Sequence, residues 1–325
     1  MDALINIPEI ALHERVIEHH GTRVLELRPA DGELPDACAS GLQARIEQAK
    51  REYGGVLLRG FASLGAQGLD RFASLFGETL QAYEFGSTPR SRIGGAVFSS
   101  TEYPADQWID QHNEQSYTLR WPESIFFYCD IAAEENGATP VADSRVVYQR
   151  LDPALRRLFA SKQIMYVRNF GNGLDVPWEQ VFGTEDRAEV ERYCRANRIA
   201  FEWLDDGEAL RTCQVCQSEL VHPQTGETVW FNQAHLFHVS NLPDDVREAL
   251  LEIVDEDRLP RNTFLGDGAP IDTAMLDEIR AVYRDTMLSF PWQPNDLLAL
   301  DNVLMSHGRA PFKGKRRVLV AMTGR

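Results

Sequence analysis

Apolar and polar positions alternate in GTRVLELRP (21–29), which predicts a strand. LPDACASGLQARIEQAKREYG (34–54) carries apolar residues at helical spacing and stops at Gly54-Gly55, which predicts a helix with a glycine terminus. A short apolar strand, GVLLRGF (55–61), and an amphipathic helix, LDRFASLFG (69–77), follow. From 91 to 150 the texture is β, with the aromatic and β-branched run SIFFYCDIA (124–132) and turn chemistry in ENGATPVADS (135–144). Residues 144–161 read as helix interrupted at Pro153. Further helices are predicted at 185–197, 243–257 and 272–286, a β stretch at 198–239 and a loop at 260–271. The C-terminal part is β again: 290–305, a turn over 306–316, then the strand RRVLVAM (316–322).

Strands and helices do not alternate regularly, which argues against a doubly wound parallel sheet. The chain carries no internal repeat and no low-complexity linker. The pattern therefore predicts a single α+β domain over 1–325, a β core with flanking and inserted helices. Residues 1–20 read as a weakly structured lead-in and 165–200 as a lid or insert, with Gly171, Gly173 and Gly183 as hinges in 165–184.

Composition narrows the class. Apolar residues at 43% and charged residues at 25% are globular values. Lys+Arg is 33 against 49 Asp+Glu, a formal charge of −16, which repels phosphate backbones and sets aside a nucleic-acid partner. No run approaches the ~20 apolar residues of a membrane span, and MDALINIPEIALHERV has no secretory core, so no membrane association is expected. Five cysteines, an odd number in a chain of 325 residues, are expected to be reduced in a cytoplasmic protein.

The phosphate-binding, serine-nucleophile, zinc-protease and dinucleotide motifs are all missing. What remains is QHNEQSY (111–117) and DNVLMSHGR (301–309). If the first piece is extended, His112 and Glu114 project to one side and Asn113 to the other. His307 can complete two histidines and a carboxylate, the set that holds Fe(II) by three protein ligands and leaves three positions open for a chelating co-substrate and O2. A zinc hydrolase and a non-catalytic small-molecule binder remain alternatives on these residues alone. Cys213 and Cys216 lack the second pair that a structural zinc site needs. In AHLFH, the spacing of His235 and His238 suits a helix, and a pocket wall is the better role than ligation. Arg168 and Asn169 lie beside a glycine-rich stretch, where Arg168 can act as a substrate clamp. Arg168, Asn113 and His235 are the substrate-side candidates. Trp108, Trp121, Trp230 and Trp292 are expected in the core.

HNEQSY, ENGATPVADS and WQPNDLLALDNVLMSHGRAPFKGKRRVLVAM, in that order, resemble the taurine dioxygenase/clavaminate synthase-like group of Fe(II)- and 2-oxoglutarate-dependent oxygenases. WFNQAHLFHVS and LPRNTFLGDGAPI are similar to the syringomycin-type amino-acid hydroxylase subgroup. The resemblance covers roughly 90–325. It implies a distorted double-stranded β-helix, with iron held by His112, Glu114 and His307, 2-oxoglutarate as co-substrate and O2 as oxidant. It also implies that Thr139 and an arginine after the distal histidine hold 2-oxoglutarate. Arg317 is preferred and Arg316 is the alternative, since neighbours on a strand face opposite ways. The implied reaction is hydroxylation of an unactivated C–H in an amino-acid-derived substrate, free or on a carrier protein, with release of succinate and CO2. Desaturation or cyclisation is the alternative outcome. Related halogenases carry a small apolar residue where Glu114 stands, so Glu114 points to oxygen transfer. Sulfonate-using members carry an arginine at the position of Ala321, which argues against taurine as substrate.

Overall fold

The run SIFFYCDI is apolar without a break because it is buried on both faces. It forms the strand Ser124–Ile131 in the middle of a large sheet, and its side chains alternate between two layers. Ile125, Phe127 and Cys129 join one core with Leu298, Leu300, Val318, Val320 and Met322. Phe126 and Tyr128 join the opposite core with Leu297, Ala299, Leu319 and Ala321. Each such aromatic contributes about 1.5–3 kcal/mol by leaving water. This computed structural model describes residues 3–7, 10–30, 36–39, 41–79, 92–99, 103–171, 173–174 and 176–324.

The large sheet runs Ala3–Ile7, Ile10–His19, Thr22–Pro29, Gly55–Leu58, Leu297–Asp301, Ser124–Ile131, Arg317–Gly324, Val97–Ser99 and Arg92–Gly94, with Glu78–Thr79 also on Arg317–Gly324. Only Thr22–Pro29 with Gly55–Leu58 is parallel among these pairings. Helices Leu42–Tyr53 and Gly65–Ala73 cover one face through Leu42, Ile46, Ala49, Leu69 and Phe72. The other face receives a small antiparallel sheet in the order Val141–Asp143, Met305–Arg309, Ile109–His112. Val141 and Met305 of that sheet pack into the same core as Phe127.

A four-stranded antiparallel sheet, Ala200–Leu204, Ala209–Cys216, Ile164–Phe170, Arg261–Leu265, builds a further core with helices Pro153–Lys162, Arg187–Ala196 and Thr273–Thr286. The interruption at Pro153 is as expected. One helix ends at Arg150, and the next starts at Pro153 with Asp152 accepting from the Ala154 and Leu155 amides.

Four expectations are corrected. The first 20 residues are not weakly structured: Ala3–Ile7 pairs with Ile10–His19, which pairs with Thr22–Pro29. The expected lid begins as a strand, Ile164–Phe170, bonded on both sides, so its backbone groups are committed to the sheet; positions 172 and 175 lie outside the described residues. The expected loop 260–271 contains the strand Arg261–Leu265. Trp108 is 49% exposed rather than core, whereas Trp230 and Trp292 are buried. Among the described residues, no helix is long and apolar enough to cross a membrane.

Candidate metal centre

His112 ends the strand Ile109–His112, and His307 lies directly opposite on Met305–Arg309. The expected turn over 306–316 therefore starts later, because His307 is inside a strand held on both sides by His112 and Val141. Glu114 stands just beyond the strand end, where the chain turns through Gln115 at φ 55°. The three side chains converge: one ligand atom of each lies within 4.8 Å of the others. His307 Nε2 is 3.8 Å from Glu114 Oε2, and the two imidazole centroids are 4.4 Å apart. Among the described residues, no other three His, Cys, Asp or Glu converge in this way. Cys213 and Cys216 stay outside any such cluster, with burial pushing both thiols above their ordinary value.

The set fits a divalent first-row ion. Bonds of about 2.0–2.2 Å place neighbouring donors roughly 3–4 Å apart, and 3.8 Å falls within that range. The tautomer fits too. His112 Nδ1–H donates to the Asp110 carbonyl at 2.8 Å, which leaves Nε2 with its lone pair for a metal. His307 rests tilted at 59° against Phe127, ring centroids 4.9 Å apart, and is 4% exposed.

Asn302 holds the turn that carries Glu114. Its Oδ1 accepts from the Glu114 amide at 2.7 Å, and its Nδ2 donates to the Glu114 and Pro122 carbonyls at 3.0 and 2.8 Å. Asn113 donates to the Asn302 carbonyl (2.7 Å) and to Ser144 Oγ (3.1 Å) and is fully buried. Its Nδ2 therefore braces the turn that carries Glu114. Asn302→Ala should leave three backbone groups without partners. The expected result is a loss of at least about 2 kcal/mol in urea unfolding, since each orphaned buried group costs about 1–3 kcal/mol.

Gly308 lets the strands of His112 and His307 meet. A Cβ there would lie 2.6 Å from the Ile109 carbonyl oxygen, at the register shift between His307 and Arg309. Gly308→Ala is expected to separate His307 from His112 and to cost about 1–3 kcal/mol, the usual penalty of overpacking, together with Fe(II) affinity measured by equilibrium dialysis. Arg309, next in line, donates to the carbonyls of Tyr103, Pro104 and Gln107 and so ties the segment before His112 to the strand of His307.

The arginine preference is reversed. Val318, Val320 and Met322 face the core that holds Phe127, and Arg316 continues that face. Its Nε donates to the Gly137 carbonyl at 2.8 Å and its Nη2 to Thr139 Oγ1 at 3.3 Å. Burial pulls the guanidinium down to about 10, which leaves it charged at neutral pH. Arg317 points to solvent and pairs with Asp130. Thr139, 2% exposed, also accepts from Trp292 Nε1 at 3.1 Å. Ala321 faces the opposite core, and the residue four after Arg316 is the apolar Val320, so a second guanidinium is missing on either register.

Two substrate candidates move as well. Arg168 is 2% exposed on Ile164–Phe170, with its guanidinium 4.7 Å above the Phe170 ring, which corrects the reading of an arginine in a mobile loop. His235 lies on the helical turn Ala234–Phe237 and donates from Nε2 to the Gln111 carbonyl at 3.0 Å, one residue from His112. Burial holds its imidazole down to about 3, so it is neutral. Asn302, Gly308 and Gln111 were passed over in the sequence. Asn302 lies inside the DNVLMSHGR motif, but only its partner Glu114, 188 residues away, reveals its use.

The profile of the family described as "Taurine catabolism dioxygenase TauD, TfdA family" matches residues 21–323. The chain belongs to this family. Dapdiamide synthesis protein DdaC of Enterobacter agglomerans is 41% identical over 277 residues, covering 85% of this chain and 84% of that protein. A clavaminate synthase-like protein of Arabidopsis thaliana is 28% identical over 288 residues, covering 85% and 83%. The crystal structure of PvcB from Pseudomonas aeruginosa superposes with a TM-score of 0.57 at 16% identity, over 100% of this chain and 95% of that one, which shows a shared fold. This member of the TauD/TfdA family is a dioxygenase dependent on Fe(II), 2-oxoglutarate and O2.

Proposed function

We propose that the convergence of His112, Glu114 and His307 is the iron site of a biosynthetic hydroxylase acting on an amino-acid-derived substrate. The single observation that carries this is the meeting of two histidine side chains and one glutamate side chain within 4.8 Å at the junction of two paired strands. The pairing of the large sheet with the small ligand sheet across the Phe127 core supports a distorted double-stranded β-helix. Bound Fe(II) with 2-oxoglutarate supplies the oxidising chemistry that breaks an unactivated C–H bond.

The protein's own groups do the positioning. The Asp110 carbonyl holds His112 in one tautomer, and Asn302 aims Glu114. Arg316 offers its planar fork to the far carboxylate of 2-oxoglutarate. Thr139 Oγ1 already accepts from Arg316 and Trp292, so its own hydroxyl proton is left to donate to that carboxylate. Phe127 and the apolar residues around His307 keep water from the metal. The five cysteines make no disulfide, which supports a reducing, cytoplasmic setting. The relative named for dapdiamide synthesis supports a place in biosynthesis.

The test is succinate release across a panel of amino acids and their amides, with product mass recorded. One amino-acid-type compound should raise succinate formation above the uncoupled level and gain a single oxygen. Stimulation only by compounds without an amino-acid skeleton would contradict the substrate class, and loss of two hydrogens would mark desaturation.

A further inference from the structure

Past His112 the chain leaves the sheet, and Glu114 lies in a run of turns. The local bonds there are short-range: the Ser116 amide donates to the Asn113 carbonyl at 3.2 Å and the Thr118 amide to the Gln115 carbonyl at 3.0 Å. A metal site needs its side chains held to within about 0.5 Å by groups that are themselves locked. Much of that hold comes from residues 216–235, more than a hundred positions further along the chain in the case of Gln233 and Gln217. Strand Glu219–Val221 pairs with Thr228–Trp230. The hairpin closes where the Phe231 amide and Asn232 Nδ2 both donate to the Ser218 carbonyl, at 3.0 and 2.7 Å. That closure brings Gln217 on one arm and Gln233 on the other to the same end of the hairpin. Gln233 Nε2 donates to the Asn113 carbonyl at 2.8 Å, and Gln217 Nε2 to the Ser116 and Thr118 carbonyls at 2.7 and 3.1 Å. Cys216 Sγ donates to the Tyr117 carbonyl at 3.3 Å, and His235 Nε2 to the Gln111 carbonyl at 3.0 Å. Five main-chain carbonyls between 111 and 118 are thus held by side chains. The donors are fixed in turn. Gln233, 2% exposed, gives its own amide to Tyr166 Oη at 2.7 Å, and the His235 carbonyl accepts from the Arg280 guanidinium at 2.7 and 3.2 Å.

We propose that Gln217, Gln233 and His235 are positioning residues of the metal centre: through these carbonyls they hold the segment 111–118 in the shape that brings His112 and Glu114 to His307. This rests on the iron-site reading above and adds the residues that keep the site assembled before a metal arrives. Cys216 joins them as a weak fourth donor, which gives the buried thiol a use other than zinc.

The experiment is equilibrium dialysis of Fe(II) with the metal-free whole chain, with thermal unfolding and amide hydrogen exchange recorded on the same samples. Gln217→Met and Gln233→Met keep the length of the side chain and remove its donor. Each should weaken Fe(II) binding by about 2–10-fold, the range for a neutral hydrogen bond, and speed exchange of the Ser116 and Thr118 amides. The double variant should lose about 10–100-fold, as when the support of a metal site is removed. His235→Leu should weaken Fe(II) binding to a similar degree as one methionine variant, and His235→Gln, whose Nε2 can reach the same carbonyl, should restore it. Ile46→Val is the control, buried in the core on the other face of the large sheet. It should lower the melting temperature and leave Fe(II) affinity and the exchange of Ser116 and Thr118 unchanged. Wild-type Fe(II) affinity in the double variant, weakened affinity with unchanged exchange at Ser116 and Thr118, or an equal loss of affinity in Ile46→Val would overturn the proposal. If His235→Leu does not fold, the methionine variants and His235→Gln decide it. Failure of the wild-type protein to bind Fe(II), or wild-type affinity in His307→Ala, would instead overturn the iron-site reading beneath it.

Discussion

Alanine in place of His112, Glu114 or His307 is expected to remove succinate formation altogether, with Fe(II) affinity reduced by well over 100-fold. Disturbing a partner of a metal ligand already costs about 10–100-fold, and losing one of three ligands must exceed that. The fold should survive, because the backbone pairing of His307 with His112 and Val141 does not depend on the imidazoles. The measurements are succinate release at saturating 2-oxoglutarate, equilibrium dialysis of Fe(II), and thermal unfolding of the metal-free chain. Wild-type turnover in any one variant would remove that residue from the set.

Arg316→Leu is expected to raise the 2-oxoglutarate requirement by roughly 10–150-fold, the range for a charge-assisted pair of about 1.5–3 kcal/mol. Arg317→Ala should leave it unchanged, since Arg317 is 59% exposed on its side chain and its pair with Asp130 faces solvent. Thr139→Val, losing one neutral donor, should raise the requirement by only about 2–10-fold. The Arg316 group is charged below its value of about 10. Affinity for 2-oxoglutarate should accordingly hold between pH 7 and about pH 9 and weaken as pH rises through about 10. Saturation kinetics for the three variants decide the matter; a larger effect from Arg317→Ala than from Arg316→Leu would reverse the register.

Much of this site was legible in the sequence because metal chemistry restricts residue types. His112, Glu114 and His307 stood out since few side chains ligate iron, and the structure brings these three together. Thr139 and the arginine pair were found by resemblance, but the choice between Arg316 and Arg317 turned on which core Val318, Val320 and Met322 face. Alternation fixes that two neighbours diverge, yet both faces of this strand are apolar, so the sequence carries no mark of the inner one. Asn302 and Gly308 act through partners far along the chain, and nothing local announces a carboxamide that braces a ligand 188 residues away. Arg168 was misplaced because glycines at 171 and 173 suggested a loop, whereas the preceding IMYVRNF is a strand paired on both edges. Likewise, IALHERVIEH reads as charged and irregular, but pairing with Thr22–Pro29 makes it a strand.

The most direct measurement is an anaerobic titration of the metal-free protein with Fe(II) and then 2-oxoglutarate, followed by visible absorption. A weak charge-transfer band should appear only when both are present, saturate with 2-oxoglutarate, fail to form with Zn(II), and vanish in His307→Ala. Iron binding without such a band, or a band of undiminished strength in His112→Ala, Glu114→Ala and His307→Ala alike, would contradict an iron and 2-oxoglutarate site at these three residues.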